Sequence, residues 1–326
     1  MKHLVLTTIL CLVSLIYYSQ DSSQGNLDKF KQLKREAAPY SDEGRIASNQ
    51  TDLEEFIYDL KNNQLSEFEQ SVFNYLFSES RCISGRFLED ALNSSPKDPF
   101  LIGEAIEFYG MTEQDASLKR MSEIASKMKL LERDASFYNI LGSSLTSRDI
   151  IFTNGESDTR PLLLAIARKN IKTRVIRIDW LTDRAYYKSL GESGLVTPSF
   201  SKPSQFLSDF IALNPNSTVL ISSTLDKEII QNLNSKLYPD RLALSLVSIP
   251  SRVNLDFFEE NRENILQSID ELSENALQLN YLPLLLDIHN NSPEGLDSQE
   301  KQEIRELVMK ILKNNGLEKL ISNLLD

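Results

Sequence analysis

At Asp149 the apolar residues of this chain change their period. Upstream they recur at helical spacing. Leu53, Phe56, Ile57 and Leu60 share one face, and Leu65, Phe68, Val72, Phe73 and Leu76 form a second stripe. Downstream, Ile150, Ile151 and Phe152 run unbroken, as a strand covered on both faces would. Asn154-Gly155 breaks that run. Asp158 or Thr159 can then cap a helix, with Pro161 in its first turn and Leu162 to Ile171 continuing it. Further strand patterns follow at Thr173–Trp180, Ser217–Ser222 and Leu242–Ile249. They alternate with helical stretches at Ser204–Leu213 and Asp226–Leu237. Parallel neighbours need crossover connections of this length, so the pattern predicts an α/β module with a small, mostly parallel sheet.

Helices flank that module on both sides. Before it, Ala91-Leu-Asn-Ser-Ser-Pro-Lys-Asp-Pro99 is similar to the turn between tetratricopeptide repeats, and the short helices around it read as tetratricopeptide-like pairs or as an irregular bundle. After it, helical patterns run through Phe257–Gln278, Tyr281–His289, Asp297–Asn314 and Leu317–Leu325. They either cover a sheet face or pack on the N-terminal helices. The chain of 326 residues therefore divides into residues 1–20 as signal peptide, 21–50 as flexible leader, 51–146 as helical repeat-like region, 147–252 as α/β domain and 253–326 as C-terminal helices.

Residues 1–20 combine basic Lys2 with an uncharged apolar run from Leu4 to Tyr18, shorter than the roughly 20 residues of a membrane span. The expectation is a periplasmic or secreted protein without a span after signal cleavage; the alternative is an uncleaved anchor. Of two cysteines only Cys82 would then remain, so the fold must rest on its core rather than on a disulfide. A formal charge of −12 argues against nucleic acid or anionic lipid as a partner.

The turn Asn154-Gly155-Glu156-Ser157-Asp158-Thr159 is the candidate site. It lies beyond the carboxyl end of a predicted strand, where open α/β sheets bind ligands. Glu156 and Asp158 would repel a phosphate, and the glycines and lysine of a phosphate loop are missing. Glu156 and Asp158 with Asn154 and Thr159 suit a divalent cation, with Glu156 and Asp158 as metal ligands, or a polyhydroxyl ligand. Against this stands plain capping, with Glu156 favouring the helix's positive end. Asp179 and Asp183 follow the next strand, and parallel pairing would bring them to the same mouth under Trp180 and Tyr186. Thr224 and Asp226 end the third strand and either complete the rim or cap a helix. His289 stands alone, without triad or metal-ligand spacing.

Thr153-Asn-Gly-Glu-Ser-Asp-Thr-Arg-Pro161, followed by Thr173-Arg-Val-Ile-Arg-Ile178, resembles a pattern in an uncharacterised bacterial membrane-protein family similar to protein O-mannosyltransferases. In its soluble extracytoplasmic region a strand ends in Thr-Asn-Gly-Asp-x-Asp-Thr-x-Pro. The likeness spans residues 149–251, with Glu156, Arg160 and Arg174 as departures. It implies an extracytoplasmic location and supports Asn154, Gly155, Glu156, Asp158, Thr159 and Pro161 as a motif. Because it concerns the soluble region alone, it implies no glycosyl transfer.

Three functions follow from these readings. The first is a cell-envelope interaction or scaffold protein, holding a protein partner through its helices and a glycan or other small ligand through its α/β module. The second is a divalent-cation-assisted enzyme acting on glycans or envelope material. The third is a carbohydrate-binding module using Trp180 and Tyr186 as stacking faces. No catalytic motif favours an enzyme.

Overall fold

The computed structural model describes residues 25–33, 48–60, 65–130, 135–199, 202–225, 227–233, 236–273 and 275–325. The signal segment, residues 1–20, lies outside them. The chain forms two compact units. The first comprises the described residues up to Ser78 together with Ser84–Pro96; the second comprises Glu79–Ile83 and the chain from Lys97 onward. The boundary read near residue 147 thus falls inside the second unit.

Four helices build the first unit: α1 (residues 25–33), α2 (Ser48–Leu60), α3 (Glu67–Leu76) and α4 (Gly85–Ser94). Ser66 and Glu69 close a capping box at the start of α3, satisfying two backbone donors reciprocally. The expected leader contains α1, which is docked rather than loose. Its Leu27 and Phe30 are buried, and the Phe30 ring meets Phe73 and Phe77 edge-on at 5.8 and 5.6 Å. Burying two such side chains offsets the entropy that a polar leader could not.

The second unit begins with α5 (Pro99–Met111), α6 (Asp115–Lys127) and α7 (Ala135–Ser144). Asp98 caps α5 by accepting from the Phe100 and Leu101 N–H groups at 2.9 and 3.1 Å, with Pro99 in the first turn. Every residue of α5 from Leu101 to Tyr109 is buried. A helix apolar all round belongs in a core, and α5 lies in one because α8 (Gly155–Lys169) packs along it. An added Cβ at Gly110 would fall 2.5 Å from Leu163 Cδ2, and one at Gly142 of α7 would fall 3.0 Å from Ala165 Cβ. The helices of the region read over residues 51–146 therefore divide: α2–α4 stand in the first unit, and α5–α7 surround α8.

The sheet follows from β1 (Asp149–Thr153), β2 (Arg174–Arg177), β3 (Thr218–Ser222), β4 (Tyr238–Asp240) and β5 (Ala243–Ser245), in spatial order β2-β1-β3-β5-β4. β1 is an interior strand and buried throughout, as its apolar run requires. It pairs in parallel with β2 (Ile151 opposite Val175) and with β3 (Ile151 opposite Leu220). α8 connects β1 to β2. On the way from β2 to β3 come α9 (Arg184–Glu192) and α10 (Pro203–Leu213), and right-handed crossovers in opposite directions put α8 and α10 on opposite faces. Phe152 accordingly meets Phe206 and Phe210 of α10.

The sheet is mixed, which corrects the mostly parallel expectation. After α11 (Lys227–Gln231) the chain makes β4 and β5, joined by Arg241 and Leu242 alone, with Arg241 at φ +57°. Two residues are too few for a crossover, so β5 must run antiparallel to β4, and it also pairs antiparallel with β3. Of the helix read over Asp226–Leu237, the described residues form α11 alone. The C-terminal helices are α12 (Ser251–Glu271), α13 (Leu282–Asn291), α14 (Ser298–Asn314) and α15 (Ile321–Leu325), with a 3₁₀ turn at Ala276–Tyr281. They pack on α7 and on the β4 edge. Ser268 joins Ser136 to the Tyr281 hydroxyl at 2.9 and 2.7 Å, and Asn254 donates to the Pro239 carbonyl at 3.2 Å. Among the described residues no helix is long and apolar enough to cross a membrane.

Candidate functional site

Asp158 organises the carboxyl edge of the sheet. It lies in the first turns of α8 and is buried. Its Oδ2 accepts from the Asn154 N–H at 2.9 Å, which folds the strand end back onto the helix start. Its Oδ1 accepts from the Tyr138 hydroxyl of α7 at 3.0 Å and from Ser222 Oγ at the end of β3 at 3.1 Å. Thr224 stands behind Ser222, hydroxyl to hydroxyl at 2.8 Å, and adds its own bond to the carboxyl. One side chain thus ties together β1, β3, α7 and α8. Burial raises its pKa above the ordinary carboxylate value, an effect that the surrounding donors oppose without reversing.

A cavity of about 320 Å³ opens beside this carboxyl, lined by Tyr138, Asn154, Ser157, Asp158, Thr224 and the loop residues Asn275, Ala276, Leu277 and Asn280. It sits beyond the carboxyl ends of β1 and β3, where the crossover direction reverses and doubly wound sheets bind their ligands. A larger groove of about 630 Å³ opens at the other edge, past Asp149, Arg174 and Asn170. The C-terminus of α8 ends there, beside the first turn of α6 at Asp115 and Ala116.

Local backbone chemistry explains the site turn. Gly155 adopts φ +45° with open space around its missing Cβ, so the conformation and not the room demands glycine. The helix starts there, well before the expected cap. Neither Asp158 nor Thr159 is the cap residue; that position is Asn154. Pro161 is consequently the seventh helical residue rather than a first-turn one, and its missing N–H leaves no bond to the Ser157 carbonyl.

The four predicted acids go to separate places. Glu156 forms an i,i+4 ion pair with Arg160 at 2.8 Å. Asp179, with 55% of its side chain exposed, pairs with Arg177. Asp183 caps α9, accepting from the Ala185 and Tyr186 N–H groups and from Ser80 Oγ at 2.9, 3.2 and 2.8 Å. Of these acids only Asp158 lines the cavity, joined from the sequence reading by Asn154, Ser157 and Thr224. Thr159 is buried, bonded to Thr153 Oγ1 at 2.7 Å and to the Gly155 carbonyl at 2.8 Å. Among the described residues no group of three or more His, Cys, Asp or Glu is placed to hold a metal ion. Trp180 and Tyr186 are buried against each other, ring centroids 5.6 Å apart, and present no stacking face. His289 is buried with Nδ1 on Asn290 Oδ1 at 2.9 Å, and burial pushes the Cys82 thiol up to about 12. Asp226 lies outside the described residues.

No protein-family model, curated protein or solved structure matches this chain.

Two groups escaped the sequence reading. Tyr138, Asn275 and Asn280 reach the cavity from segments outside the turn that carries Asn154 and Asp158, and nothing local marks them. Glu104 and Glu107 did carry a signal: two acids inside the otherwise apolar run Phe100 to Tyr109 must be paired when buried. Both have fully buried side chains. Glu107 takes Arg160 Nε at 2.9 Å and the Arg177 guanidinium, and Glu104 takes Arg160 at 2.6 Å. Arg160 lies over Gly103, where a Cβ would come within 3.1 Å of its Nη1. This network pins the start of α8, and with it Asp158, to α5 and β2.

Proposed function

We propose that this chain is a periplasmic or secreted interaction protein of the cell envelope whose α/β module binds a small polar ligand at the carboxyl edge between β1 and β3. The observation that carries the reading is the cavity built around Asp158 at the reversal of crossover direction. The signal-like N-terminus and the resemblance of Thr153–Pro161 to an extracytoplasmic motif support the location. The helices of the first unit, read as tetratricopeptide-like, are the surface proposed to hold a protein partner. Binding rather than turnover follows from the chemistry of the edge. Its buried carboxyl is committed to internal donors, and Glu156 and Asp179 are ion-paired to arginines, so among the described residues no acid–base pair faces the cavity.

Ligand-observed NMR against a library of small polar fragments tests the reading, using the wild-type chain and Asn280→Leu. Fragment signals that depend on Asn280 are expected. A library without a single hit, or hits indifferent to the substitution, would remove the site.

A further inference from the structure

The chemistry of the cavity wall narrows the ligand class, and the inference rests on the binding site proposed above. The first turn of a helix ordinarily recruits an anion through its free N–H groups. Here two acids, Glu156 and Asp158, stand in that turn, and the Asp158 carboxyl already accepts from the N–H of the cap residue Asn154 at 2.9 Å. Among the described residues that line the cavity none is Lys, Arg or His, so no described side chain there would compensate an incoming anion. A cation fares little better. Both Asp158 oxygens already accept hydrogen bonds from Tyr138, Ser222 and Asn154, and burial favours the uncharged acid.

Beside Asp158, the polar groups described at the cavity are uncharged. The Asn280 amide and the Ser157 hydroxyl line the cavity, while Asn154 reaches only the Thr224 carbonyl at 3.5 Å. Amides and hydroxyls donate and accept at once, as neighbouring hydroxyls of a ligand do. Ala276 and Leu277 add a small apolar patch. The volume of about 320 Å³ stands at the low end of small-molecule sites, about 300–1,000 Å³, and suits a single ring better than a chain of them.

We propose that this cavity takes a small neutral polyhydroxy compound of single-ring size, held by Asn280, Ser157 and Asn154 over the Ala276–Leu277 patch.

The test is titration of the full chain with free hexoses and myo-inositol, followed by NMR. The same titration is run with a hexose phosphate, a hexuronate and a hexosamine as anionic and cationic counterparts. Neutral polyols should bind, and Asn280→Leu should weaken them about tenfold, the worth of one or two lost hydrogen bonds. Unchanged Trp180 emission would show that the variant is folded. Binding of a charged counterpart at Asn280 without binding of the neutral ring would overturn the ligand class and leave the site standing. If neither these probes nor the fragment library perturb Asn280, the site itself falls.

Discussion

Replacing Glu107 with alanine probes the network that holds the candidate site in place. The Glu107 side chain is fully buried, and the side chains of its partners Arg160 and Arg177 are only 11% and 10% exposed. The two arginines are not left equally stranded. Arg160 keeps Glu104 at 2.6 Å and Glu156 at 2.8 Å, whereas Arg177 keeps only Asp179, which is more than half exposed and therefore screened. The cost of Glu107→Ala is thus mainly that of one buried guanidinium without a buried counter-charge, about 3–5 kcal/mol. Glu107→Gln keeps the volume and one acceptor, and should cost about 1–3 kcal/mol. The double variant Glu107→Leu with Arg177→Met removes charge and counter-charge together and should recover most of the loss. Urea unfolding followed by tryptophan emission measures all three. The chain has one tryptophan, Trp180, and it is buried in the same unit just beyond β2, so the signal reports that unit. An unchanged slope against urea would assign the change to stability. A Glu107→Ala loss below about 1 kcal/mol, or one that disappears in molar salt, would refute the buried network, because only exposed pairs are so weak and so screened.

Two further outcomes follow from the shifted groups. Asp158 has a folded pKa raised by burial, so its contribution to stability is fully present below its unfolded pKa, about 3.9, and is lost as pH rises through the folded value. The stability difference between wild type and Asp158→Asn should therefore move against the wild type as pH rises; chemical denaturation at several pH values reads it, and movement the other way would show that the donors outweigh burial. The Cys82 thiol, pushed up to about 12 mainly by burial, should have on the order of a thousandfold fewer thiolates at pH 8 than an ordinary cysteine. Alkylation of the Cys82 peptide, followed by mass spectrometry, should be far slower in the folded protein than in urea, and equal rates would contradict the burial.

Local chemistry made β1 and the turn after it legible. An unbroken Ile-Ile-Phe run has to be covered on both faces, and Asn-Gly has to break it; both hold in the sheet. The same chemistry placed most helices, because a stripe of apolar residues repeats along the chain that carries it. It also singled out Asn154 and Asp158, which line a cavity at the carboxyl edge of the sheet. It could not say which charges would meet. Asp179 and Asp183 follow a neighbouring strand, yet one pairs with Arg177 and the other caps α9, because those partners are nearer in space than the mouth of the sheet. Tyr138 and Asn280, which complete the cavity, and Glu107, which braces it, come from helices and loops far along the chain. The strand reversal at Arg241 likewise depended on how few residues separate β4 from β5. Periodicity is a property of a segment and survives in the sequence; a binding cavity is a coincidence of segments, and only their packing brings it about.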